Sequence, residues 1–335
     1  MKYIKQTIYA LVLSSLTFSI GAFAADEVTV GYQGVLNPYK VAIADKTFSK
    51  RTGYKVNWRK FDSGGAVINA MASGDVHIAM AGSSPIASGI ANGLPIQIFW
   101  VVEDIADAEA LVVRDGSGIN SPQDLKGKNI GVPFVSTTHF HMLFALEQFG
   151  IRARQVRLRN LQPPQIAAAW QRGDIDAAFV WDPVLGKIKE DGKVLITSGV
   201  LSSWGKATFD GMVVNKDFAA KNEKFMIEFT KVMDESTRAY SENPKAWNAR
   251  SSNARKVAQL AGGEASQVAG TLALYGFPTA ATQATSAWLG GGEKGGVALA
   301  MKFTAEFLKA EKKVDSIPRS YAQFVNSKFA EAAAR

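Results

Sequence analysis

An α/β protein of two similar lobes, built on mostly parallel sheet, is the fold this sequence predicts. Short β-branched runs alternate with helical stretches over the first two thirds of the chain, the pattern of strands joined through crossover helices. A helix–strand phrase then recurs about 99 residues after its first appearance. The length of 335 residues suits two globular units at roughly 150 residues each.

The opening segment stands outside that fold. Lys2 and Lys5 precede an apolar run over 8–23, broken only by Ser14, Ser15, Thr17, Ser19 and Gly21. It ends in Ala22-Phe23-Ala24, the small-x-small pattern of a leader-peptidase site. The run is short for a spanning helix, so 1–24 reads as a signal peptide cleaved after Ala24. No cysteine lies at the cut, which excludes a lipid-anchored form. No later segment holds ~18 uninterrupted apolar residues, so the mature chain is expected to be soluble in the periplasm. Loss of the two lysines lowers the formal net charge from +8 to +6.

The elements follow in order. Val28-Thr29-Val30-Gly31-Tyr32 is a β-branched strand, and a helix over 38–50 follows it, stopped by Gly53. Residues 54–61 alternate as a second strand. Asp62-Ser63-Gly64-Gly65 leads into a helix over 66–73, with Asp62 as its expected cap and Gly74 as its stop. A buried strand over 76–80 then delivers Gly82-Ser83-Ser84-Pro85.

The repeat relates Ala70-Met71-Ala72-Ser73-Gly74-Asp75-Val76 to Ala169-Trp170-Gln171-Arg172-Gly173-Asp174-Ile175. In each copy a helix ends at Gly-Asp, a short strand follows, and a polar loop comes next: Gly82-Ser83-Ser84-Pro85 in one, Trp181-Asp182-Pro183 in the other. Gly-Asp is common punctuation between helix and strand, but the matched loops favour two lobes. A second pairing sets Glu109-Ala110-Leu111-Val112-Val113 beside Asp210-Gly211-Met212-Val213-Val214. If both are strands crossing between the lobes, residues 25–110 and 214–335 form one lobe and 111–213 the other. Each crossing would then hold an acid at the mouth of the cleft.

Composition narrows the chemistry. The chain has no cysteine, which removes disulfide frameworks, thiolate metal sites and cysteine nucleophiles. His77, His139 and His141 are its three histidines, and the i, i+2 pair on one helix faces two ways. No metal site and no cofactor are expected. Arg152, Arg154, Arg157 and Arg159 lack interleaved aromatics and read as a solvated strand edge, so no nucleic acid is expected either. The glycines at 290–292 and 295–296 lack the Lys-Ser/Thr of a phosphate loop.

Several stretches carry a family resemblance: Trp58-Arg59-Lys60-Phe61-Asp62-Ser63-Gly64, Gly82-Ser83-Ser84-Pro85, Pro133-Phe134-Val135-Ser136-Thr137-Thr138-His139, and Leu161-Gln162-Pro163-Pro164 with 168–176. They resemble the taurine-binding periplasmic proteins of bacterial ABC importers, a family grouped with the aliphatic-sulfonate and nitrate binders. The resemblance covers most of residues 28–215 and fades in the C-terminal third. It implies a type II periplasmic-binding-protein fold with two mixed-sheet lobes joined by two crossing strands. It further implies a small-molecule ligand, taurine or a related sulfonate, and an inner-membrane ABC permease as partner. The binder is expected to act as a monomer. Asp182 departs from the pattern, since close relatives can carry a small apolar residue after the tryptophan.

A zwitterionic sulfonate needs convergent donors at one end and acceptors at the other. Ser83, Ser84, Ser136, Thr137 and Thr138 sit where helices should begin, so hydroxyls and unpaired backbone N–H groups meet an anion there. The plain alternative is that they only cap their helices. Glu109 and Asp210 suit the ammonium, or else form an ordinary hinge ion pair. Trp181 can lie along the ethylene chain or face the ammonium. Gln33 and Tyr32 are wall candidates, Trp204 a similar one, and Asp182 stands beside Trp181. An amine-free alkanesulfonate or a sulfate ester is the alternative ligand, for which two acids would be unhelpful. Enzyme readings fare worse. Porphobilinogen deaminase shares the lobe architecture but needs a cysteine, and Ser136 near His139 lacks a third orienting group.

Overall fold

Ten strands form two five-stranded mixed sheets in the computed structural model of this protein, which describes residues 26–335. The expected leader 1–24 lies outside the described residues. The strands are β1 (Glu27–Gln33), β2 (Lys55–Phe61), β3 (Ile78–Gly82), β4 (Ile96–Asp104), β5 (Glu109–Arg114), β6 (Asn129–Val132), β7 (Arg157–Asn160), β8 (Ala177–Trp181), β9 (Gly192–Thr197) and β10 (Phe209–Asn215).

The first sheet runs β2-β1-β3-β10-β4 and the second β7-β6-β8-β5-β9. Position by position the two orders correspond. β1 pairs in parallel with β2 and β3, as β6 does with β7 and β8. The fourth strand of each sheet, β10 or β5, is antiparallel to its neighbours on both sides. The recurring phrase therefore marks equivalent places. Its two strands, β3 and β8, are the central ones and are buried along their whole length, as strands covered on both faces must be. Their apolar runs (Ile-Ala-Met-Ala-Gly and Ala-Ala-Phe-Val-Trp) have no alternation because neither face meets water.

Glu109 and Asp210 likewise open the two equivalent antiparallel strands. Each strand stays within one sheet, however. The chain passes between sheets in the short segments just before them, 105–108 and 204–208. The basic residues Arg157 and Arg159 lie exposed on β7, at the edge of the second sheet.

Local departures from the sequence reading have physical causes. The helix expected over 38–50 is two short ones, Lys40–Ala44 and Thr47–Thr52, because Lys46 between them adopts a left-handed backbone with φ 56°. The helix expected from 66 begins at Gly64, capped by Ser63 in place of Asp62: the Ser63 hydroxyl accepts from the Ala66 amide at 3.4 Å. The strand expected over 76–80 lies two residues further on, as β3.

The C-terminal third is helical. Helices Ser252–Ala261 and Ala265–Leu272 pack with Leu36, Tyr240 and Trp247 in a small apolar cluster of their own. Helix Gly296–Ala310 lies along helix Ser83–Ala91 beside the first sheet, while its Phe307 meets Phe140, on a helix of the second sheet, edge-on at 4.9 Å. Among the described residues no helix is long and apolar enough to cross a membrane.

Candidate functional site

Three helices begin at one cavity between the two sheets. Helix Gly64–Ala72 starts after Ser63, helix Ser83–Ala91 after Gly82, and helix Thr137–Gln148 after Ser136. Gly64, Gly82, Pro85, Ser136 and Thr137 all line the cavity. Each helix start leaves backbone N–H groups without intrahelical partners and carries partial positive charge. Three together form a donor-rich end suited to an anion. The Ser136 hydroxyl itself is committed, accepting from the His139 amide at 3.0 Å and donating to the Pro133 carbonyl at 2.6 Å. Thr138 is buried against it at 2.7 Å and does not line the cavity. Ser83 and Ser84 lie fully buried outside the cavity lining, with hydroxyls that have no partner among the described residues. Glycine is needed at 82: a Cβ there would come within 2.7 Å of Thr137 Cγ2 and 3.3 Å of Asp210 Oδ1.

Two acids line the same cavity, directly beside those helix starts. Glu109 and Asp210 both line the cavity and are almost fully buried. Thr137 Oγ1 donates to Glu109 Oε1 at 2.5 Å. Ser198 has one hydroxyl hydrogen facing two acceptors, His141 Nδ1 at 2.7 Å and Glu109 Oε2 at 3.3 Å. The Lys206 carbonyl, 2.7 Å from His141 Nε2, can only accept, so Nε2 carries the ring hydrogen and Nδ1 is free to accept. The shorter contact takes the Ser198 hydrogen, leaving Glu109 poorly compensated. Burial pushes the Glu109 carboxyl up to about 8; the Thr137 bond works against this, and the charge of Asp210 adds to it. Burial likewise raises Asp210 to about 6, against hydrogen bonding with Glu103 and the charge of Lys40.

Trp181, Gln33, Val35 and Tyr275 complete the walls of a cavity of about 10 Å³, room for about one water and well below the roughly 300–1,000 Å³ of an open small-molecule site. Gln33 Nε2 donates to the Met80 carbonyl at 3.3 Å. Trp181 and Gly82 are the cross-strand partners of Glu109 and Asp210, so each acid sits opposite the last residue of a central strand.

Of the ten residues expected at the site, Gln33, Glu109, Ser136, Thr137, Trp181 and Asp210 meet in the cavity wall. Ser83, Ser84, Thr138 and Asp182 do not. Asp182 has a different task. Its Oδ1 accepts from the Gly186 amide at 2.6 Å and its Oδ2 from Thr271 Oγ1 at 2.7 Å. The first bond starts the helix Val184–Ile188; the second reaches the helix Ala265–Leu272 on the far side of the cleft, where Gln267 also donates to the Pro183 carbonyl at 3.3 Å. Asp182 is thus a fastener between the two halves, with no free oxygen for a ligand. Asp182→Ala is expected to cost about 2 kcal/mol, a melting temperature lower by a few degrees in calorimetry. Trp204 is also no wall residue: it is 46% exposed.

His139 stacks on Phe134 at 4.4 Å, and burial holds both His139 and His141 down to about 4. They serve as neutral packing and hydrogen-bonding groups. Gly64, Gly82, Pro85, Val35 and Tyr275 line the cavity but were not among the residues expected there. The helix-start argument used for Ser83 and Ser136, applied to Ser63, would have reached Gly64. Tyr275 carries no local signal.

The folded site is therefore a small pocket between two equivalent α/β lobes, lined by helix starts and buried acids, as suits a solute-binding protein. The model for the substrate binding domain of ABC-type glycine betaine transport systems matches residues 26–306, and the chain belongs to that family. It is 42% identical over 319 residues to the taurine-binding periplasmic protein of Escherichia coli K12, covering 95% of this chain and 97% of that one. Among solved structures it resembles the alkanesulfonate-binding protein SsuA of Xanthomonas axonopodis pv. citri bound to MOPS. The TM-score is 0.72 at 22% identity, covering 88% of this chain and 96% of that one. It also resembles the desulfurization enzyme DszB at TM-score 0.63 and 14% identity, covering 92% and 99%. The fold is thus shared by binders and by an enzyme, and function rests on the site.

Proposed function

We propose that this chain is the periplasmic solute-binding component of an ABC importer and captures taurine or a closely related amino-sulfonate. The observation that carries the reading is the meeting of three helix starts and two buried carboxyls in the wall of one small cavity. A sulfonate spreads one charge over three oxygens and suits the helix starts at Gly64, Gly82 and Ser136–Thr137. Its ammonium partner, two carbons away, suits Glu109 and Asp210, with Trp181 and Tyr275 along the chain between. The name of the 42%-identical relative supports the same ligand.

Residues 25–110 with 214–335 act as one lobe and 111–213 as the other, and the ligand bridges them. Closure over the ligand shifts the population toward a shape that a membrane permease recognises. The chain works as a monomer, exported and cleaved after Ala24, and makes or breaks no bond in its ligand. Thermal-shift titration against taurine, ethanesulfonate, sulfate and nitrate tests the reading. Taurine is expected to raise the melting temperature most. Equal stabilisation by ethanesulfonate would favour an amine-free ligand and overturn the assignment of the two acids.

A further inference from the structure

Behind the cavity lies a second polar group that the proposed ligand does not touch. Lys40, on the helix Lys40–Ala44, and Glu103, on β4, are both 0% exposed. Glu103 is the β4 partner of Asp210 across the β10 pairing, so the two carboxyls lie side by side. Among the described residues neither oxygen of Glu103 has a conventional donor, and the Asn37 amide nitrogen and the Tyr39 hydroxyl nearby are also unpartnered. The Lys40 ammonium donates to Asn37 Oδ1 at 3.0 Å and faces the rings of Tyr39 at 5.0 Å and Tyr32 at 5.2 Å.

Two neighbouring buried carboxyls cannot both ionise; they hold one proton between them. Whether the pair keeps its remaining negative charge depends on a nearby cation, since a lone buried charge is strongly penalised. Lys40 is the cation the fold supplies. Burial draws it down to about 7, while the charges of Glu103 and Asp210 hold it up. The other titratable groups around these three are Lys60, Glu109, Tyr39 and Tyr275. The cation of Lys60 opposes that of Lys40, while the charge of Asp210 helps to keep the proton on Glu109, on the ligand side.

We propose that Lys40 is a positioning residue for specificity: with Glu103 it keeps one negative charge on the Glu103–Asp210 pair, so the cavity demands a cationic end in its ligand. This deepens the amino-sulfonate reading and rests on it for the choice of probes. Lys40→Met keeps the stem and removes the charge; the carboxyl pair should then take up a second proton near neutral pH. Taurine affinity at pH 7 is expected to fall roughly tenfold or more, about one pKa unit's worth, while affinity for isethionate, which carries a hydroxyl in place of the amine, stays level or rises. A merely structural lysine would weaken both ligands alike. Glu103→Gln removes the shared proton and should move the pH midpoint of taurine binding downward, opposite to Lys40→Met. Unchanged taurine-to-isethionate ratio and midpoint in both variants overturns the proposal. If the wild type binds no taurine, the functional reading fails. The proposal is then decided on the ligand-free protein by carboxyl-carbon NMR titration of Asp210: its midpoint rises in Lys40→Met if the proposal holds, and an unmoved midpoint refutes it.

Discussion

Asp210→Ala and Glu109→Ala are each expected to abolish tight taurine binding while leaving the chain folded. Both carboxyls face the cavity from buried positions, where a charge-assisted bond to an ammonium is shielded from water. Removing one partner of such a pair costs about 2–5 kcal/mol, roughly 30-fold to several-thousand-fold in affinity. The fold should survive because neither carboxyl holds it together: burial raises both from their ordinary values, so each ionised form is a burden on the folded state. Calorimetric titration alongside a melting curve measures the two effects separately. Wild-type affinity in either variant would remove that residue from the site.

Proton release on binding is the second large effect. Glu109 holds a proton below about 8 in the free protein, yet must be ionised to receive an ammonium. Taurine binding at pH 7 is therefore expected to expel close to one proton, read from calorimetric enthalpies in buffers of different ionisation heat. Affinity should rise with pH toward 8, by at most about tenfold per unit. Stability moves the other way. The folded chain keeps the Glu109 proton after the unfolded chain has lost it, so raising pH from about 4.5 to about 8 drains stability, by at most about 1.4 kcal/mol per unit. Glu109→Gln removes this contribution alone. Its melting temperature should exceed the wild type's by a margin that grows across that window, while taurine binding is lost. A constant margin would mean that Glu109 is ionised in the free protein.

The sheet plan was legible because central strands leave a plain mark. The runs Ile78–Gly82 and Ala177–Trp181 are unbroken apolar segments ended by ligand-capable loops, and their spacing exposes the duplication. Glu109 and Asp210 were legible as the matched acids opening two Val-Val strands. Residues whose meaning depends on distant partners were not. Asp182 looked like a ligand until Thr271, from a helix 89 positions away, was seen to take its second oxygen. Lys40, the first residue of a short helix, carries no local sign that its ammonium lies buried against Asn37 and faces the rings of Tyr39 and Tyr32. Tyr275 reaches the cavity from the C-terminal third, where helices of ordinary composition give no hint of what they adjoin.

The matched sheets have a further consequence for a ligand with a head and a tail. Glu109 and Asp210 occupy corresponding seats in two copies of one plan, and helices start at the cavity from both sides. An ideally mirrored cradle of this sort would accept its guest either way round and hold it half as decisively. What breaks the tie is the unequal backing of the two seats: hydroxyls and a neutral imidazole behind Glu109, a carboxyl and an ammonium behind Asp210. Direction, for a guest in this cradle, is written one layer behind the wall that touches it.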